Sequence, residues 1–435
     1  MSDGLLISQI VLAIVGFIYA VFNRQAIIKS CKQIFAKKTL ADPEKIVEKE
    51  PEMQKLKPLT TLTPDKVKDY DDRPWRPFRW PYHQTMSIFK LDLNHWLDMD
   101  KWYVRYIEEK KKIFDQYGKE YCDWLPEGED ACEELLEIIV DHMLTRYPNL
   151  FKKTETGIHN LITEEHIDLT KPYKLHPLHY IGKMAKEDFY VVKKRPDGRH
   201  YLVAAAVPFP GGYFTVQDKL GKHLDIIHKD VPYYTEKLKV SMERWFARMK
   251  PTDPVERASW YITWDHELLC SNVYTIKDGK QMPDIPFEKF TIRVERQTLR
   301  RLPKSQAIIF TNHPVFYTID EMKDEPMVPS ILKKVVLGAP EKIIQYKNFK
   351  AIEKHIIPYL DKLIKRQIDL GIITEDQPVK TLKTYPFAEW ADVSEDTGEG
   401  WTNPMAGCPV AHWENLPLSF LIIIIIFFYG YYMFY

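Results

Sequence analysis

Glycine is scarce in this chain: 17 of 435 residues, where about 7% is usual. Little material is left for phosphate-cradling loops, and neither G-x-G-x-x-G nor G-x-x-x-x-G-K-[ST] occurs. A surplus of one charge is also missing. Lys+Arg and Asp+Glu both number 61, so the formal net charge is zero and nothing marks the chain as a nucleic-acid binder. The five cysteines, Cys31, Cys122, Cys132, Cys270 and Cys408, are odd in number and scattered. With no C-x-x-C pair, zinc-ribbon, thioredoxin-type and ferredoxin-type sites are excluded. No N-x-[ST] sequon is present. Both features suit a reduced, cytosol-facing main domain.

Proline (30), tyrosine (25) and tryptophan (11) are plentiful, as expected of a loop-rich domain with an aromatic interior. Two apolar runs bracket the chain. Residues 5–22 are interrupted only by Ser8, Gln9 and Gly16, and residues 417–435 contain Ile422 to Ile426 and an aromatic end. About 20 helical residues span a bilayer core, so each run is long enough to be a transmembrane helix. The first carries Asp3 before it and Arg24, Lys29 and Lys32 after it. That is the reverse of a signal peptide, and it places residues 24 onward in the cytosol. The expected organisation is an anchor at 1–23, a polar linker at 24–74, a main domain at 75–372, an irregular tail at 373–415 and a second anchor at 416–435. An intracellular membrane such as the endoplasmic reticulum is the expected location.

Within the main domain the patterning predicts helices over 94–117, 128–147, 218–228, 233–249, 326–336 and 346–369. Strands are expected at 188–194, 200–207, 213–217, 258–264, 290–302 and 306–312, and 148–185 reads as irregular. The strands follow one another in meander order with helices inserted, which argues for an α+β fold on an antiparallel sheet.

Few residues stand out as carriers of chemistry. His83 sits in an aromatic segment, Trp80-Pro81-Tyr82-His83-Gln84, that reads as a strand. His228 falls on the apolar stripe of Leu220 and Leu224 at the end of a predicted helix, which suits an axial heme ligand or a helix cap. The strand Arg293-Val294-Glu295-Arg296-Gln297-Thr298-Leu299-Arg300-Arg301 has no apolar face: Arg293, Glu295, Gln297 and Arg301 share one side, Arg296 and Arg300 the other. It reads either as an exposed edge strand or as the wall of a polar pocket whose arginines meet carboxylates such as heme propionates. Cys408-Pro409 is a juxtamembrane pair, open to palmitoylation or to thiolate ligation.

Several stretches together resemble the heme-dependent oxidative N-demethylase family, alpha-subunit-like. They are Arg76-Pro77-Phe78-Arg79 with Pro81-Tyr82-His83-Gln84-Thr85-Met86, then Asp218-Lys219-Leu220-Gly221 with Ile227-His228, Arg257 with Trp260, and Arg293 to Phe310. The resemblance spans about 75 to 370 and departs at Ser259 and at Asn312-His313-Pro314. It implies a PAS-like antiparallel sheet with packed helices holding heme b, here flanked by the two transmembrane helices. It also implies O2-dependent removal of a methyl group from a small amine, with formaldehyde released. In the bacterial type, flavin and an iron–sulfur centre on other subunits deliver electrons. This chain carries neither signature, so an external flavin/iron–sulfur reductase is expected. On this reading His83, Tyr82 and Glu295 are catalytic, and His228, Arg296, Arg301 and Arg257 hold the cofactor. His228 ligates iron, with His83 or Cys408 as alternatives. A non-catalytic heme- or ligand-sensing module and an anchored scaffold remain the other classes.

Overall fold

The computed structural model describes residues 52–212, 214–269, 285–391 and 400–401. The chain divides into two compact units, Met1–Glu52 and Met53–Tyr435, and the second is described here. Among the described residues no helix is long and apolar enough to cross a membrane. Both apolar runs expected as anchors, and Cys408, lie outside the described residues.

Ten strands form two antiparallel sheets among the described residues. β1 is Phe89–Lys90, β2 Cys122–Trp124, β3 Phe151–Lys153, β4 Gly157–Asn160 and β5 Glu165–Asp168. β6 is Asp188–Lys194, β7 His200–Ala206, β8 Val255–Thr263, β9 Thr291–Arg301 and β10 Ile308–Thr318. The main sheet runs β1-β8-β9-β10-β6-β7-β2, and β3-β4-β5 make a small second sheet. The helices are α1 Tyr103–Tyr117, α2 Glu129–Arg146, α3 Pro177–Gly182, α4 Leu224–Ile227, α5 Lys239–Arg248, α6 Val328–Gly338, α7 Glu341–Tyr346 and α8 Phe349–Asp369. This is the mixed α+β architecture, with a large antiparallel sheet and packed helices, that the meander pattern predicts.

Both faces of the main sheet are covered. On one, Trp260, Ile262, Ile292 and Val294 pack with Ile331 and Leu332 of α6 and Ile352 and Ile356 of α8. Further along, Phe189 and Ile309 meet Leu135 and Ile139 of α2, whose apolar residues recur at helical spacing. On the other face, Leu202, Ala205, Leu299 and Ile308 pack with Leu224, Phe246 and Met249 from the α4–α5 segment. The edge-strand alternative for the arginine-rich segment is therefore wrong. β9 lies between β8 and β10, pairing over its whole length with β10, and its turn is pinned by Glu134, whose carboxylate accepts from the Lys304 and Ser305 amides at 2.7 Å each.

Three local expectations also fail. Residues 214–217 form no strand. The helix expected over 218–228 shrinks to α4, because Gly221 adopts φ +74°, a left-handed conformation that ends regular helix. His223 then caps a new start, its ring accepting from the Asp225 amide. The stretch expected to be irregular holds β3–β5 and α3; its strands are short, mostly polar and without the alternation that signals a half-buried sheet.

Candidate functional site

His228 follows α4 directly. Its Nδ1 lies 2.8 Å from the Leu224 carbonyl, which also accepts from the His228 amide at 3.0 Å. That bond places the proton on Nδ1 and leaves Nε2 as the ring's lone-pair nitrogen, without a hydrogen-bond partner among the described residues. Burial pushes the His228 pKa down to about 4; the Leu224 bond opposes this, and the Lys219 and Arg257 charges add to it. The imidazole is therefore neutral at pH 7. It stacks on Tyr234, with ring centroids 5.4 Å apart.

The face of the sheet beneath α4 is read from the strand registers. Arg257, Gln297, Asn312 and Asp188 form one cross-strand row, and Val255, Leu299, Phe310 and Tyr190 the next. Tyr190 and Phe310 meet edge to face at 5.1 Å. Tyr190, Arg257, Lys219 and His228 are all deeply enclosed, yet each keeps accessible surface. Phe214, Leu220 and Ile227 are partly buried against the same apolar cluster. The region between α4 and the sheet thus brings together apolar and aromatic side chains, one neutral imidazole and two cations.

Those cations lack acids. Lys219 stands 3.2 Å from the Phe214 ring centroid, and no hydrogen bond or ion pair reaches its ammonium among the described residues. Burial lowers its pKa to about 8, opposed only by Asp218. Arg257 donates from Nε to the Met86 carbonyl at 2.9 Å and from Nη1 to Gln297 at 2.7 Å, both neutral groups. Around it stand Tyr82, Tyr385, Tyr346 and Arg79. Burial, offset in part by the Arg79 and Arg257 charges, pushes the Tyr82 pKa up to about 12. A cleft of about 1080 Å³ opens alongside, between the segment from Lys229 to Glu236 and the α7–α8 junction, and Tyr346 is part of its wall.

The sequence-predicted residues divide accordingly. His228, Arg257 and Tyr82 come together. Glu295 lies one row from Arg257 on the same face, held by Arg293 Nε (2.7 Å), Tyr261 (3.2 Å) and Asn312 (2.6 Å). Arg296 points to the opposite face, where it meets Glu256 at 3.3 Å, Asp98 at 3.6 Å and the Trp96 and His95 carbonyls. Arg301 lies at the far end of β9, donating to the Met249, Gln306 and Phe246 carbonyls around the end of α5. His83 is exposed in a loop rather than in the expected strand; only its backbone carbonyl is engaged, by Arg79 at 2.6 Å. Lys219, Tyr190, Phe310, Tyr346 and Lys347 were not singled out from sequence. Tyr190 and Phe310 follow from alternation along β6 and β10, whereas nothing local marks Lys347. One cluster of metal-ligand type, His223, Asp225 and Glu243, has its place taken by the Lys239 ammonium, 2.6 Å from Asp225.

Fold and site define an α+β domain in which one neutral imidazole, apolar rings and two cations without acid partners among the described residues lie on one side of the main sheet. Residues 87–357, well over half of the chain, match the family described as haem-dependent oxidative N-demethylase, alpha subunit-like. The chain belongs to that family, and heme is the cofactor that the family description supports.

Proposed function

We propose that this protein is a membrane-anchored, heme b-binding oxidoreductase that carries out O2-dependent oxidative N-demethylation of a small amine. One O2, two electrons and two protons convert an N-methyl amine into the demethylated amine, formaldehyde and water. The electrons come from a separate flavin/iron–sulfur reductase. The domain faces the cytosol from an intracellular membrane, the endoplasmic reticulum, held by the two apolar runs. Counted along the chain, the strands β6, β7, β8, β9 and β10 lie in the order 2-1-5-4-3 across the sheet, with α4 and α5 inserted between the second and third. This arrangement supports the PAS-like reading.

The observation that carries the proposal is the free Nε2 of His228, on a neutral ring oriented by the Leu224 carbonyl. Iron-ligating imidazoles are commonly held this way. The donor set fits heme b: His228 would ligate the iron, Arg257 and Lys219 would offer cations to the propionates, and Phe310, Phe214 and Leu220 would pack against the macrocycle. Arg296 and Arg301, already engaged by protein groups, act in structure rather than on the cofactor. When bound, heme supplies the oxygen-activating redox chemistry. Tyr82, protonated at pH 7 and beside Arg257, donates to Gln84 Oε1 at 3.1 Å and keeps its oxygen as an acceptor. Glu295, fixed by three donors, holds the polar floor in place.

The test is spectroscopic. Full-length protein in detergent, supplied with hemin, should show a Soret band that His228→Ala removes and His83→Ala leaves in place. A normal ferric spectrum in His228→Ala would move the ligand elsewhere. No band in the wild type would favour the anchored-scaffold class, and heme without NADPH-driven formaldehyde release in the presence of reductase would favour a sensor.

A further inference from the structure

Lys347 ends α7 and is almost fully buried. Its ammonium donates to the Trp260 carbonyl at the outer edge of β8, which pairs with β1 only at Val255 and Glu256. It also lies 5.2 Å from the Trp260 ring centroid. Arg257 is the charged group that acts on it, and no carboxylate pairs with either cation among the described residues. Arg79, the third cation here, donates to Thr85 and the His83 carbonyl and lies over the Tyr385 ring at 5.6 Å. Two buried like charges with neutral partners are costly. Arg76 and Arg296, by contrast, have acids within 3.3 Å, Glu325 and Glu256. Tyr346, the residue before Lys347, links the pair to the large cleft.

We propose that Arg257 and Lys347 form a receptor for a ligand carboxylate at the unpaired edge of β8. Arg257 Nη2, the guanidinium nitrogen left uncommitted by the bonds from Nε and Nη1 among the described residues, supplies a directed charged donor and the ammonium a point charge, a combination that suits a carboxylate. Two sources present this chemistry: a heme propionate, or the carboxylate of an N-methyl amino acid entering through the cleft. The receptor stands on its own cations and does not require heme to bind.

Isothermal titration of full-length protein in detergent separates the sources. The probes are hemin, hemin dimethyl ester, N-methylglycine and, as the carboxylate-free control, N-methylethylamine. If a propionate is the ligand, hemin binds at least about tenfold more tightly than its dimethyl ester, and Arg257→Gln and Lys347→Met abolish the difference. If the substrate carboxylate is the ligand, the two hemins bind alike and N-methylglycine binds where N-methylethylamine does not. Both variants then lose N-methylglycine by tenfold or more. Failure of both hemins to bind removes the heme reading alone, because N-methylglycine is read separately. Lys347→Met should melt no lower than wild type in the absence of ligand, since it removes an uncompensated buried charge. A clear drop in its Tm, or variants indistinguishable from wild type with every carboxylate probe, would overturn the receptor.

Discussion

Two sets of buried cations occupy one sheet and differ in what they face. On the α6–α8 side, Arg73 and Arg296 share Glu256 and Asp98, and Arg76 forks onto Glu325 at 2.6 and 2.7 Å. On the α4 side and along the β8 edge, Lys219, Arg257 and Lys347 have rings, amides and carbonyls as partners. The residue types are alike; Lys219 and Arg257 keep some accessible surface where Arg73, Arg76 and Arg296 keep almost none, and the main difference lies in the counter-charge. Where the acid is present, the cation ties segments together: Arg73 and Arg76 fix residues 73–76 to strands and helices far along the chain. Where it is absent, the protein carries an electrostatic cost that a bound anion would relieve.

The largest effect that would sharpen this contrast is on the compensated side. Arg296→Ala leaves Glu256 and Asp98 short of a partner and should destabilise by roughly 3–5 kcal/mol, measured by denaturant titration. A loss below about 1 kcal/mol would erase the distinction. Next is His228→Ala, for which heme retention should fall at least about 100-fold, equivalent to about 2.7 kcal/mol. The melting curve without heme should stay nearly unchanged, because the ring caps a single carbonyl.

Third is a pH effect. Burial, then Arg257, lowers the Lys347 pKa to about 7, while an unfolded lysine titrates near 10.4. Between these values the unfolded chain binds a proton that the native protein does not, so stability rises with pH. The slope from this one group approaches about 1.4 kcal/mol per pH unit, and Lys347→Met should remove it. On the compensated side the sign is the same but the window is acidic. Burial alone would raise the Asp98 pKa, but Arg296, His95 and Arg73 together hold the carboxyl well below the usual range. Its stability contribution is present above about pH 4 and is lost as pH falls. The smallest effect is that of Arg301→Ala, which frees the carbonyls at the end of α5. It should cost about 1 kcal/mol with heme content unchanged; a loss of heme would restore Arg301 to the cofactor.

The long elements were legible in the sequence because one periodicity governs each. β6, β7, α2 and α8 all fall where the pattern puts them. The β9–β10 hairpin was legible too, but its place in the sheet was not: a strand with charges on both faces looks solvated until its partners are known, and those partners, Asp98 and Glu256, lie 198 and 40 residues away from Arg296. The region around His228 was only half visible. Its apolar stripe with Leu220 and Leu224 suggested a continuous helix, yet Gly221 could take φ +74° and break it. Arg257 and Tyr82 were found through the family resemblance. Lys347 gave no signal because its burial depends on the α7–α8 junction reaching the free edge of β8.

The size of the cleft beside Tyr346 bears on selectivity. Pockets for drug-sized ligands usually fall within about 300–1,000 Å³, and this one reaches about 1080 Å³. A methylated amine of four or five heavy atoms would rattle in such a space. The opening therefore works as a poor sieve: it admits bulky and slender molecules alike, and excluding wrong ones by girth is beyond it. Discrimination must then rest on the ligand's charge and hydrogen-bonding groups.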